Sequence, residues 1–372
     1  MRRVFSAFEA AGQPVYLVGG AVRDAVRGMP VGDLDLATPA RPDQVMALAK
    51  AAGIRSVPTG LEHGTVTLVV DGVPHEITSF RRDVETFGRH ATVAFTTDMM
   101  QDARRRDFTM NALYANFDGT VIDPLAGLPD ALAGRVRFIE DANQRIVEDY
   151  LRSLRFFRFH AWYGGENGLD AEGLAAVGAH LDGLETLARE RVGSEILRLL
   201  AAPDPAPAVS AMAQVGALLR VLPGADPRAL APLVHLEGLT DTPADPIRRL
   251  AALGGEDVQT RLRLSNADAN RLQMLRVSIG SAESPGALGY RYGAGDARSI
   301  LLLRAALLEH PLSEGAFVQL DIGARAVFPV KAQDLMPEYA GPALGSQLKQ
   351  LEARWIASDF ALSRAALLGD EC

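Results

Sequence analysis

Cysteine is almost missing from this 372-residue chain, whose one copy is Cys372. Neither an internal disulfide nor a cysteine-based zinc site can therefore support the fold. Long hydrophobic runs are missing too: no stretch reaches the roughly 18 apolar residues of a membrane-spanning helix. The opening Met1-Arg2-Arg3 and Val4 to Ala11 is interrupted by Ser6 and Glu9 before any signal-like segment develops. The expected location is cytoplasmic, with no membrane partner. Lysine is scarce, limited to Lys50, Lys331 and Lys349, so nearly all positive charge is arginine, much of it before residue 160. A net charge of -8 argues against a surface that attracts nucleic acid everywhere and leaves room for a local basic stripe.

What is present fits a globular chain. Hydrophobic residues make up 48% and charged residues 23%, which excludes disorder as the main state. The length predicts roughly two or three domains of about 150 residues each. Strand signals cluster in the first third, at Val15 to Val18, Leu34 to Leu36, Val66 to Val70 and Glu76 to Phe80, with helical patterns at Ala21 to Arg27 and Pro42 to Ala52. This predicts an α/β region with a small mixed sheet. From about Asn143 the pattern turns helical, notably over Glu148 to Trp162 and Glu190 to Leu200. The proline-rich Ala202 to Pro207 reads as a linker or tight loop, and the remainder reads as all helix.

Four strings carry chemistry. Tyr16-Leu17-Val18-Gly19-Gly20-Ala21-Val22-Arg23-Asp24 reads as strand, glycine turn and helix start, where backbone amides and Arg23 can meet a polyphosphate. A plain tight turn with a surface arginine uses the same residues. Asp33 and Asp35, two apart in a strand-like context, project to one face and suit a hard Mg²⁺ ion that also binds substrate phosphates. In Arg104-Arg105-Arg106-Asp107-Phe108-Thr109-Met110-Asn111-Ala112, guanidinium groups can pair with phosphate while Asp107 and Asn111 can bond ribose hydroxyls. In Glu148-Asp149-Tyr150-Leu151-Arg152, the i and i+3 spacing predicts that Asp149 and Arg152 share one helix face. Such an acceptor and donor match the amino group and ring nitrogen of cytosine or adenine, and mismatch uracil and guanine. Arg155 and Arg158 extend a basic stripe that can reach a triphosphate or an RNA end, or form ion pairs with Glu148 and Asp149.

These strings resemble the motifs of the class II tRNA nucleotidyltransferase and bacterial poly(A) polymerase family, a branch of the polymerase-β-like superfamily. Asp123 to Asp130 resembles a third family motif joining head and neck, and Arg189 to Ile196 a fifth that braces the neck. The resemblance implies an α+β head with a small mixed sheet over 1–140, a helical neck over 141–200, and a helical body and tail over 201–372 that binds tRNA. It assigns Mg²⁺ to the catalytic Asp33 and Asp35. Gly20, Arg23, Arg106, Asp107, Asn111, Asp149, Arg152, Arg155 and Arg158 fall to the nucleotide. Glu76 is a candidate third carboxylate, with a solvent-facing strand glutamate as the alternative. His63 is read as structural. Arg81 to Asp98 looks like the flexible loop that switches specificity from C to A, with a plain surface loop as the competing view. Ala332 stands where the family pattern has glycine, and no His-Asp dipeptide signals an appended phosphohydrolase domain.

The implied activity is addition of C, C and A to the 3′ end of tRNA from CTP and ATP, with release of pyrophosphate. Poly(A) polymerase and CC-only or A-only enzymes share these motifs. A non-catalytic RNA-binding relative has no need of Asp33 and Asp35. No obligatory protein partner is evident, and a monomer is the default.

Overall fold

The computed structural model describes residues 1–87, 90–166, 168–309 and 311–369. Gly88 and Arg89 of the expected loop, and Cys372, lie outside the described residues. Two compact units emerge: residues 1–225 with 255–263, and residues 226–254 with 264–372.

In the first unit the chain runs α1 (Arg2–Ala10), β1 (Tyr16–Val18), α2 (Gly20–Val26), β2 (Asp35–Thr38), α3 (Pro42–Ala51), β3 (Arg55–Gly60), β4 (Thr65–Val70) and β5 (Val73–Ser79). It continues with β6 (Arg81–Phe87), β7 (His90–Phe95), α4 (Met99–Arg104), β8 (Tyr114–Ala115), β9 (Val121–Ile122) and α5 (Leu128–Ala133). The strands form a mixed sheet in the order β3-β4-β5-β2-β1-β8-β9. The run Thr65 to Val70, rich in β-branched residues, makes β4 a natural interior strand paired on both sides. The parallel pairing of β2 with β5 sets Asp35 opposite Glu76, and the antiparallel pairing of β1 with β2 closes the other side.

Alternation along β2 decides which way the acids point. Leu36 packs into the core built by Val4 and Phe8 of α1 and Val45 and Ala49 of α3. Ala37 joins the opposite cluster of Val18, Phe80, Ala103, Tyr114 and Ile139. Asp35 therefore shares the face of Ala37, the face that carries Tyr114 and α4. Asp33 lies before the strand, contrary to a strand holding both acids; β2 starts only at Asp35.

Residues 81–87 and 90–95 pair as two antiparallel strands rather than forming an aperiodic loop. They escape hydrophobic periodicity because Arg, Asp, Glu and Thr dominate them. β3, β8 and β9 were likewise not expected from the sequence, being short or interrupted by Pro58 and Gly60.

Helices complete the unit: α6 (Ala142–Glu148), α7 (Leu151–Tyr163), α8 (Ala171–Ala179), α9 (Arg189–Leu200), α10 (Ala206–Gln214) and α11 (Ala217–Val221). Phe108, Phe138, Phe156 and Phe159 pack with ring centroids 5.0 to 6.5 Å apart, joining the head to α7. Such pairs stabilise by about 1 kcal/mol each beyond their area. Pro203 and Pro205 sit in a tight turn, and Pro207 lies in the first turn of α10, where its missing N–H costs nothing. α14 (Val258–Arg261) also belongs to this unit, after α12 (Leu230–Leu239) and α13 (Pro246–Leu253) of the second.

The second unit adds α15 (Asn266–Ile279), α16 (Pro285–Leu308), α17 (Ala316–Arg325), α18 (Gly341–Ala357) and α19 (Arg364–Leu368), and has no strand among its described residues. α16 and α17 cross closely through glycine: a Cβ on Gly323 would stand 1.9 Å from the Gly286 carbonyl oxygen. Buried Glu237 accepts from both Arg248 and Arg249. Ala332 opens a 3₁₀ turn over Ala332–Leu335 and is not among the residues with positive φ, so its backbone needs no glycine. No described helix is long and apolar enough to cross a membrane.

Candidate active site

Asp33, just before β2, and Asp35, its first residue, are both exposed. Burial of its surroundings raises the Asp35 pKa, and the negative charges of Glu76 and Asp33 raise it further; Arg106 partly offsets them. The three carboxylates thus share one neighbourhood and repel one another. Among the described residues, no group of three or more His, Cys, Asp or Glu side chains is arranged to hold a metal ion unaided. A carboxylate pair that needs further oxygens suits Mg²⁺, which takes one or two carboxylates and completes its shell with phosphates and water.

Arg106 stands between this edge and the rest of the site. Its Nη2 donates to Asp102 Oδ2 at 3.1 Å, an oxygen that also accepts the Tyr114 hydroxyl at 2.7 Å. Its buried Nε has no hydrogen-bond partner among the described residues, a donor left for an anion. Gly19, with φ of 71°, turns the chain beside it; a Cβ there would meet Arg106 Nη1 at 3.4 Å. Burial raises the Asp102 pKa, but Arg105, Arg106 and Tyr114 outweigh it and hold the group below its ordinary value.

Arg23 is only 5% exposed, against the expectation of a side chain presented to phosphate. Its Nη1 donates to Asn111 Oδ1 at 2.6 Å, its Nε to Asp24 at 2.8 Å, and the Tyr163 ring lies 3.7 Å from its Cζ. Gly20 starts α2 beside this guanidinium, and an added Cβ would make ordinary contact with its Nη2 at 3.5 Å. Asn111 in turn donates to Asp107 Oδ1 at 2.9 Å, and Arg155 pairs with Asp107 Oδ2 through Nε at 2.8 Å and through Nη2. Burial would push Asp107 up, but Arg155, Asn111 and the Phe108 N–H together hold it far below the carboxylate range. Arg158 pairs with Glu195 of α9 at 2.5 Å, so the stripe of arginines is neutralised chiefly from other elements.

Asp149 and Arg152 do not share a helix. Asp149 is the extended residue that ends α6, and its Oδ1 accepts from Leu151 N at 3.1 Å at the start of α7. An aspartate favours such a helix start over a helix interior, so the chain breaks here. Arg152 Nη1 donates to Glu148 at 2.7 Å and to the Arg145 carbonyl at 2.8 Å. Arg145 donates to the carbonyls of Arg105 and Arg106, each at 2.6 Å, and Arg152 Nη2 approaches the Arg105 carbonyl at 3.4 Å. Arg145 and Arg152 are thereby tied to the backbone of Arg105-Arg106, whose Arg106 side chain carries the charge that acts on Asp35.

Comparison with known proteins matches residues 15–137 to the poly A polymerase head domain and residues 169–228 to a probable RNA- and SrmB-binding site of polymerase A. A CCA-adding enzyme of Latilactobacillus sakei is 30% identical over 98% of this chain and 95% of its own length. The chain belongs to the CCA-adding enzyme family. Human mitochondrial CCA tRNA nucleotidyltransferase 1 is 44% identical over 186 residues, which are 50% of this chain and 43% of that protein. The chain thus spans less than half the length of the first curated relatives it matches. The crystal structure of the Bacillus stearothermophilus CCA-adding enzyme in complex with CTP superposes with a TM-score of 0.76 and 27% identity, covering 96% of this chain and 92% of that one. The head is the polymerase-β-like fold.

In this CCA-adding family member, several side chains around the site escape sequence reasoning. Asp102, Tyr114, Arg145 and Tyr163 hold the expected residues in place, and Glu148, Arg191 and Glu195, which lie in strings already singled out, do the same through partners that spacing did not name. Spacing offered one clue, since Arg191 and Glu195 lie four apart on one face of α9. Asp123 and Asp130 of the third motif do structural work: Asp123 accepts from Gly127 N and Leu128 N, and Asp130 from Thr109 and Arg137. His63 is exposed, 3.8 Å from Glu62.

Proposed function

We propose that the chain adds C, C and A to the 3′ end of tRNA, taking CTP and ATP and releasing pyrophosphate. The observation that carries this reading is the joint at Arg105-Arg106. The Arg106 charge acts on Asp35, while the adjacent carbonyls are held by Arg145, whose own carbonyl anchors Arg152. One nucleotide lying along that joint meets both ends.

In this mechanism Asp33 and Asp35 hold Mg²⁺, with Glu76 as a neighbouring third carboxylate. When bound, the metal lowers the pKa of the primer 3′-hydroxyl and neutralises the departing pyrophosphate. The 3′ oxygen attacks the α-phosphorus, and the bond to the β-phosphate oxygen breaks. Arg106 faces the triphosphate with its free Nε. Asp107 and Asn111, fixed by Arg155 and Arg23, lie on the ribose side. Asp149 accepts the exocyclic amino group of cytosine or adenine and Arg152 donates to the ring nitrogen, so no nucleic-acid template is needed. The division into head over 1–140, neck over 141–200 and body and tail over 201–372 belongs to this reading, with the last part carrying the tRNA. So does cytoplasmic residence.

Offering tRNA that lacks its terminus with CTP alone, ATP alone and both tests the reading. Growth by three residues only with both nucleotides is expected. A long adenylate tail would make the chain a poly(A) polymerase instead, the activity for which its head-domain family is named.

A further inference from the structure

Arg191 lies in a segment expected only to brace the neck, yet it touches a residue of the base-reading couple. Its Nη2 donates to Asp149 Oδ2 at 2.7 Å, while the Leu151 N–H takes Oδ1 at 3.1 Å. Each carboxylate oxygen therefore has one donor, which fixes the plane of the group and leaves a second lone pair on each oxygen. Both partners of the pair are partly shielded, at 24% and 20% side-chain exposure, so the bond is neither a solvated surface pair nor a core contact. α9 itself is fixed in place: a Cβ on Gly193 would stand 1.9 Å from the Leu262 carbonyl oxygen. One turn further along α9, Glu195 neutralises Arg158.

We propose that Arg191 is a positioning residue for nucleotide selection, orienting the Asp149 carboxylate so that it accepts an exocyclic amino group and does not turn to accept from the protonated ring nitrogen of uracil or guanine. The proposal rests on the base-reading role given above to Asp149 and Arg152. Without Arg191 the carboxylate keeps one anchor and can rotate. Water or a protonated ring nitrogen can then be accommodated at the freed oxygen, which favours uracil and guanine.

The test compares kcat/KM for CTP, ATP and UTP on tRNA lacking its terminus, for wild type, Arg191→Ala, Arg191→Lys and Asp149→Ala. Loss of one charge-assisted hydrogen bond predicts a fall of about tenfold in the CTP to UTP ratio for Arg191→Ala. Recovery of most of it in Arg191→Lys, and no further loss when Arg191→Ala is added to Asp149→Ala, are also expected. Equal losses for all three nucleotides in Arg191→Ala would overturn the proposal and leave Arg191 a brace. Unchanged discrimination in Asp149→Ala would overturn the base-reading role itself. Urea unfolding of each variant separates lost stability from lost selection.

Discussion

Two sets of aspartates in the first unit meet opposite fates. Asp33 and Asp35 at the edge of the sheet have no ion pair among the described residues, and the Asp35 pKa is raised by its surroundings and by Glu76. Asp102, Asp107 and Asp149, on the arginine-rich segment and the neck, are each paired with arginine. The first set is charge that the chain offsets only in part, through Arg106, which costs stability and in the proposed reading leaves room for cations. The second is charge that the chain neutralises itself, which fixes geometry before a nucleotide arrives.

The sharpest way to break this contrast is at the edge. Asp33→Ala or Asp35→Ala is expected to lower nucleotide transfer by at least about 1,000-fold. Without divalent ions the thermal midpoint should hold or rise, because one source of mutual repulsion is gone. A raised folded pKa means that Asp35 destabilises the ionised folded state, so its effect eases as pH falls through that pKa. Mg²⁺ should raise the midpoint of wild type and not of either variant, read by differential scanning calorimetry.

Asp107 should behave in the opposite sense. Its folded pKa is depressed, so its pairing contributes stability above the ordinary carboxylate value near 3.9 and loses it as pH falls below that value. Asp107→Asn leaves Arg155 half-paired and is expected to cost about 3 kcal/mol at neutral pH. Urea titrations between about pH 5 and about pH 3 should show a smaller loss in this variant than in wild type.

Arg152→Ala is milder for the fold, since Glu148 keeps Arg145 as a partner. It is expected to cost about 1 kcal/mol of stability and to lower the CTP to UTP ratio roughly 10- to 100-fold, measured by competitive incorporation. The smallest effect belongs to His63→Ala, which should leave transfer within about twofold because the ring is exposed and makes only a long contact with Glu62.

Much of this contrast was legible in the sequence because both sets sit in short strings. The Gly-Gly turn, the two acids and the Arg-Arg-Asp-Phe-Thr string marked residues that the structure brings around Arg106, and strand-forming runs bounded by Gly, Pro or Asp marked β1, β2, β4 and β5. What was illegible depends on long-range partners. Asp149 and Arg152 share a helical spacing, yet the aspartate is an extended residue between α6 and α7 whose side chain accepts from Leu151 N. Arg23 has the appearance of a phosphate ligand, but its partners Asn111 and Tyr163 lie 88 and 140 positions away. The strand pair over 81–87 and 90–95 hides in the sequence because Arg, Asp, Glu and Thr give it no apolar alternation to read.

The central claim is that the partly compensated edge and the pre-arranged neck serve one nucleotide. A crystal structure of the chain with CTP and Mn²⁺, with manganese located by anomalous scattering, addresses it most directly. The account predicts a manganese peak bound by Asp33 and Asp35, a triphosphate reaching it past Arg106, and the cytosine of the same molecule against Asp149 and Arg152. A cytosine bound elsewhere, or manganese away from both aspartates, would contradict it.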